Sequence, residues 1–299
     1  MAIRARLTAP REVREDWPWH ETQSISLSAS LLFCGDRRME AENFLAEGFA
    51  VRHRITSKPI GWSALSDAAN IWQPSRLKGI QVAPEFGTPF LAATQVFDVR
   101  PIPRKWLSIN RTEDHAQRFV EEGTILLTCS GSVGRATIAD ATISKLLISH
   151  DLLRIEPRRH GLRGWVYAYL RSPSVRAMMT SAQYGHMIKH LEIGHLDALP
   201  FVSLTQGAEE RFNKAFDEII KLRNRSHGLT EKAERLFEES FGSPSSSKID
   251  NVGFSVSASM ALSGKRRRFE AQFHNPKVQE ITSHIGRRAI GWKSISDLG

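Results

Sequence analysis

Residues 123–135, GTILLTCSGSVGR, set the pattern of the chain. Thr124 to Thr128 form an unbroken β-branched and aliphatic run, which predicts a buried strand. The stretch Ser130-Gly131-Ser132-Val133-Gly134-Arg135 ends it. Two glycines three apart predict a tight turn that accepts positive φ and close approach of another group. The hydroxyls of Ser130 and Ser132 and the Arg135 guanidinium put donors at that approach. A second strand is predicted from Ile148 to Ile155 (ISHDLLRI), a short helix over 165–170 (WVYAYL) stopped by Arg171-Ser172-Pro173, and a last strand from Leu199 to Val202. Upstream, residues 59–67 (PIGWSALSD) read as a strand and turn, and residues 87–91 as a strand. Short strands and turns with few helical stretches predict an α/β domain over residues 24–205, preceded by a polar leader, 1–23, with Trp17 and Trp19 as packing groups.

Residues 206–241 carry the opposite pattern. Ala208, Phe212, Ala215, Ile219, Leu222, Ser226, Leu229, Ala233 and Leu236 follow steps of four and three, apolar at all but Ser226. That spacing predicts one long helix with a heptad seam, weakened in its middle by Gly228. The seam needs cover. Phe212, Ile219, Leu222, Leu229 and Leu236 are its candidate partner or dimer contacts; the alternative is a helix lying on its own domain's core. Serine- and proline-rich residues 243–247 then read as a linker.

The pattern restarts near the end. Ser257-Ala258-Ser259 matches Ser28-Ala29-Ser30, Arg268-Phe269-Glu270-Ala271 matches Arg38-Met39-Glu40-Ala41, and residues 289–297 (AIGWKSISD) match 59–67. Gly61 and Gly291, Asp67 and Asp297, and Glu40 and Glu270 each lie 230 positions apart. A repeat of that period implies two copies of one domain. The second copy runs out at Gly299, so residues 243–299 read as a linker and the truncated start of a second repeat.

The chain has 299 residues and 41 % hydrophobic content, enough for a substantial core. With 41 Lys+Arg against 32 Asp+Glu, the surplus favours polyanionic partners. Cys34 and Cys129 lie far apart and form neither a metal-ligand spacing nor a disulfide framework, which fits a reducing cytoplasm. The N-terminus lacks the apolar core of a secretory signal, and no run approaches a membrane span. Candidate contacts for a nucleic acid are Arg76, Lys78, Gln95, Arg104, Lys105, Arg111, Ser130, Ser132, Arg135 and Lys189. Several alternate with prolines and Trp106, a mixture suited to phosphate contact and packing on sugar, though surface arginines are also commonly just solvated.

The order of these pieces resembles the target recognition domains of type I restriction–modification specificity subunits. The family's pattern is a strand with S-G-x-x-G-R, an I-S-x-D-L-L-R-I strand, a Y-x-Y-L-x-S helix, a G-x-x-I-x-H-L loop and an L-x-x-L-P strand. The corresponding residues here fall between about 85 and 205. The match reaches framework positions such as Gly131, Gly134, Arg135, Gly185 and Leu191. The resemblance implies a sequence-specific reader of half a bipartite duplex DNA site that docks a methyltransferase subunit, and a restriction subunit as a further partner. It implies no catalysis and no cofactor of its own. Specificity subunits are built from two halves, as the 230-residue repeat would be. The alternative is a recognition component of another phage-defence complex or of a fused restriction–methylation enzyme.

Enzymatic readings lack their motifs. There is no G-x-x-x-x-G-K-[ST] loop, no dinucleotide loop, no Asn-Pro-Pro-aromatic run and no Glu-x-Lys, leaving only a nuclease with an unfamiliar site as a third reading. His186, His190 and His195 cluster without a nearby cysteine and read as surface or DNA-facing residues rather than as a zinc site.

Overall fold

The computed structural model describes residues 28, 29, 44, 47–76, 78–182, 190–242, 253–262, 269–271 and 273–297. The leader, the 37–41 stretch, the 243–247 linker, Ser30, Arg267, Arg268 and the loop from Tyr184 through Lys189 lie outside the described residues. The chain forms two compact units, Met1–Arg225 and Ser226–Gly299.

The first unit opens with helix α1 (Glu47–Thr56), strand β1 (Trp62–Ala64), the single-turn helix α2 (Leu65–Ala68) and β2 (Ala69–Trp72). Strands β3 (Gln81–Val82), β4 (Thr88–Leu91), β5 (Lys105–Leu107), β6 (Ile125–Thr128), β7 (Ala136–Ile138), β8 (Leu147–Ile148) and β9 (Leu152–Pro157) follow. Helices α3 (Arg163–Arg171), α4 (Pro173–Ala182) and α5 (Ile193–Asp197), strand β10 (Pro200–Val202) and the long helix α6 (Gln206–Phe241) complete the series. The strands make two four-stranded sheets, β2-β9-β6-β7 and β3-β5-β4-β8, plus the pair β1-β10. All pairings are antiparallel except β4 with β8. The architecture is mixed α/β with one long helix, as the pattern predicts.

The unbroken apolar run of β6 has a direct cause. Ile125 and Leu127 enter the larger core with Val166, Tyr167 and Leu170 of α3, whereas Leu126 enters a second core with Leu91, Ile143, Ile148 and Leu152. A strand buried on both faces cannot alternate apolar with polar residues. The predicted strand over 148–155 divides: Leu147–Ile148 joins the small sheet, Leu152–Pro157 joins the main sheet, and residues 149–151 turn between them. Arg154 makes this turn possible. Its buried guanidinium donates to the carbonyls of Ile148 (3.2 Å), Ser149 (2.9 Å) and Leu152.

The first half of helix α6 lies on its own domain's core. Phe216 is buried against Tyr167, with ring centroids 5.6 Å apart, and Ile219 and Ile220 pack on the same core. Phe212 touches Trp165 at 4.9 Å. Phe212 and Ile219, expected on an outward seam, therefore contact their own domain. The reason is polar as much as apolar. Asn213 Oδ1 accepts from Gly164 N at 2.7 Å, and Arg223 Nη1 donates to the Ile138 carbonyl at 2.8 Å. Asn224 Oδ1 accepts from Ala141 N at 3.1 Å. At Gly164 a Cβ would run into the Phe212 carbonyl, so glycine permits the close approach. Leu222, Leu229 and Leu236 stay 53–55 % exposed.

In the second unit α6 ends at Gly242 (φ 68°), a left-handed terminator. Helices α7 (Ala258–Leu262) and α8 (Pro276–Arg288) follow. Asn275 caps α8 by accepting from Lys277 N at 3.0 Å, ahead of Pro276 in the first turn. His284 Nε2 lies 2.8 Å from the Phe241 carbonyl. The span 47–56 of α1, moved by 230 positions, falls inside α8.

Candidate nucleic-acid interface

The glycine turn is built by Thr128. Its Oγ1 donates to the Ser132 carbonyl at 2.5 Å and accepts from Arg135 N at 3.0 Å. Gly134 N donates to the Thr128 carbonyl at 2.9 Å. Gly131 and Gly134 have φ of 66° and 77°, which side-chain-bearing residues rarely adopt. The turn leaves Gly131 and Ser132 exposed and Arg135 half-buried.

Four other segments meet this turn. From the 149–151 turn, Asp151 accepts from Ser130 Oγ and Ser149 Oγ, each at 3.1 Å. From the segment after β2, Gln73 Nε2 donates to the His150 carbonyl at 2.6 Å. From the small sheet, the Phe97 ring lies 4.1 Å under the Arg135 guanidinium, a cation–π contact that fixes that cation while leaving it half-exposed. His190 bridges to Ser130, and Leu191 N donates to the Cys129 carbonyl at 2.8 Å.

A second buried guanidinium stands near the first. Arg118 donates through Nε to the Glu113 carbonyl and through Nη2 to the Ser75 carbonyl, both at 3.2 Å. Among the described residues, Arg118 Nη1 and Arg154 Nε find no hydrogen-bond partner. Burial lowers the pKa of Arg154 to about 10, and the neighbouring Arg118 charge adds to the effect. His150 is held below its ordinary value, chiefly by burial; Asp151 opposes this, and Arg118, Arg76 and Arg154 reinforce it. The Cys129 thiol is pushed up to about 11, first by burial and then by Asp151, so it is protonated at neutral pH and is no nucleophile.

Of the residues predicted from sequence, Ser130, Ser132 and Arg135 share the glycine turn. Arg76 is exposed just beyond Gln73, within electrostatic reach of His150. Arg104, Lys105 and Arg111 are exposed on or beside β5, and Lys78 is exposed, 3.6 Å from Glu113. Gln95 is a correction. It is buried, with Oε1 accepting from Ala92 N at 3.0 Å and Nε2 donating to the Ile102 carbonyl at 2.6 Å. A primary amide engaged at both ends is a clamp on its own loop. Lys189 lies outside the described residues. Sequence reasoning did not single out Gln73, Arg118 and Arg154 as backbone holders: Gln73 holds the His150 carbonyl, Arg118 those of Ser75 and Glu113, and Arg154 those of the adjoining 148–152 turn. Of the three clustered histidines, His195 accepts from Glu192 N at 3.0 Å at the start of α5, and His186 is outside the described residues. Among the described residues no group of three or more His, Cys, Asp or Glu is placed to hold a metal. No described helix is long and apolar enough to cross a membrane.

No family model matches the chain, and no curated protein matches it. Among solved structures it is similar to the HsdS subunit of Thermoanaerobacter tengcongensis, with 17 % identity, 61 % of this chain and 45 % of that one covered, and a TM-score of 0.36. It is likewise similar to the type I restriction–modification S subunit of M. genitalium, with 19 % identity, 62 % and 46 % coverage and a TM-score of 0.36. A third similar chain comes from a structural study of type I R-M complex assembly, with 19 % identity, 63 % and 50 % coverage and a TM-score of 0.36. The matched region spans about half the length of these chains.

Proposed function

We propose that the chain is a non-catalytic DNA-specificity subunit of a type I-like restriction–modification system. It reads one half of a bipartite site and docks a methyltransferase subunit. The observation that supports this reading is the meeting of separately encoded segments at Gln73, Phe97, Ser130–Arg135 and Ser149–Asp151, which leaves the edge of Arg135 half-exposed and Arg76 exposed nearby, while Arg104 and Lys105 stand exposed at the small sheet. Cations there neutralise phosphates, while the glycine turn brings backbone and hydroxyl donors close to the duplex. The 230-residue repeat supports a two-half architecture, and the exposed Leu222, Leu229 and Leu236 support a partner along α6, either a methyltransferase subunit or a second chain packed as a symmetric pair. The purified chain, a methyltransferase subunit and both together are to be incubated with duplex DNA and a methyl donor. Site-restricted methylation only in the mixture is expected. Methyl transfer or cleavage by the chain alone, abolished by a point change in it, would overturn the reading.

A further inference from the structure

Between residues 63 and 211, the described large hydrophobic side chains that stand exposed are Ile80, Phe86, Val99 and Ile102, at 56, 80, 83 and 56 %. All four belong to the small sheet or its loops; the main sheet and its helices contribute none. Exposed aliphatics scattered singly need no explanation, but a concentration of them does.

Val99 and Ile102 are held out by a stiff loop. Pro101 is buried, and Pro101 and Pro103 fix φ on either side of Ile102. Gln95 clamps the Ile102 carbonyl from within, and Phe97, under Arg135, ties the start of the loop to the glycine turn. The charged residues over 98–105 are Asp98 against Arg100, Arg104 and Lys105, a cationic excess. Protein-docking faces tend to be poor in lysine and rich in aromatics at their centre. Aliphatic tips between cations instead match a DNA groove, where phosphates flank base edges and the thymine C5-methyl groups are the apolar feature of the major groove.

We propose that Val99 and Ile102 are specificity-determining residues that contact thymine methyl groups in the major groove, with Arg104 and Lys105 on the flanking phosphates. This rests on the reading of the chain as a DNA reader. The test begins with selection of a preferred site by the full chain from a random duplex pool. The double variant Val99→Ser, Ile102→Ser is then compared with the parent on that site and on random duplex. Because both residues are exposed, the melting temperature is expected to stay unchanged. Affinity for the selected site is expected to fall roughly tenfold, with random-duplex affinity and salt slope unchanged. Replacing thymine by deoxyuridine in the site is expected to weaken the parent several-fold and the variant not at all. An unchanged ratio of specific to random binding overturns the proposal, as does an equal loss on both duplexes. Loss of methyltransferase binding with the ratio intact would assign the loop to protein docking instead. Failure of the parent to prefer any site would overturn the DNA-reader reading itself, and this proposal with it.

Discussion

Two stretches of the chain, 47–67 and 277–297, carry one pattern in two settings. Both form a helix at the same register, and both form the same small cap. Ala64 N–H donates to Asp67 Oδ2 at 3.2 Å and Ser294 N–H to Asp297 Oδ2 at 3.1 Å, each starting one helical turn. They differ in what lies beyond. In the first copy residues 62–64 pair with 200–202, whereas residues 292–294 form no strand. Val51 is buried in the first copy, and its counterpart Ile281 is exposed. At position 48 a Cβ would run into the Ala177 carbonyl of α4; the counterpart is Val278, exposed. The cap is a local interaction and forms wherever its sequence occurs. A strand needs another strand's edge, and among the described residues only the first stretch is paired with one.

The comparison breaks most severely if the partner strand is not what orders the first copy. Phe201 of β10 lies among Trp165 and Tyr169. Phe201→Ala is expected to cost about 3–5 kcal/mol, read by chemical denaturation. Substituting the residues at the contrasting helix positions is a sharper test. Gly48→Val is expected to destabilise by about 1–3 kcal/mol through overpacking against α4, while Val278→Ala stays within about 0.5 kcal/mol. Removing the caps separates local from global effects. Asp67→Ala is expected to lower stability by about 1 kcal/mol and Asp297→Ala to leave the main unfolding transition unmoved. Equal effects at 67 and 297 would mean that the two copies share one cooperative unit.

Tyr169 supplies a pH-dependent version of the same test. Its hydroxyl donates to the Pro200 carbonyl of the partner strand, and burial pushes its pKa up to about 12 from an ordinary 10. A folded-state pKa above the unfolded one gives a contribution that is complete below pH 10 and is lost as the pH rises through 12. The fall in unfolding midpoint over that window is expected to be smaller in Tyr169→Phe, which itself loses about 1 kcal/mol at neutral pH.

The fold was legible where one local rule sufficed. The β6 run, the end of α3 at Arg171 and the full extent of α6 all follow from spacing and composition. It was not legible where long-range packing chose among local options. The stretch 148–155 has the composition of a single strand, yet the Arg154 guanidinium gathers its carbonyls into a turn and sends its halves to different sheets. Heptad counting picked one phase of α6 and passed over Phe216, because the docking face is marked by Asn213, Arg223 and Asn224 as much as by apolar residues. At the site, charge singled out Arg76, Arg104 and Lys105, but residue type alone does not separate a contact such as Gln95 was expected to make from the internal clamp that it is.

The central proposal is that the exposed cations of the glycine turn, the 73–76 segment and the small sheet hold DNA through its phosphates. The direct measurement is the affinity of the full chain for duplex DNA as salt is raised, for the parent and for Arg76→Ala, Arg104→Ala, Lys105→Ala combined. The parent is expected to lose affinity linearly on a log–log plot, and the triple variant to show a slope shallower by about 0.9 for each phosphate contact removed, roughly 2–3 in all. Equal slopes for the two proteins, or no salt-dependent binding by the parent, would contradict it.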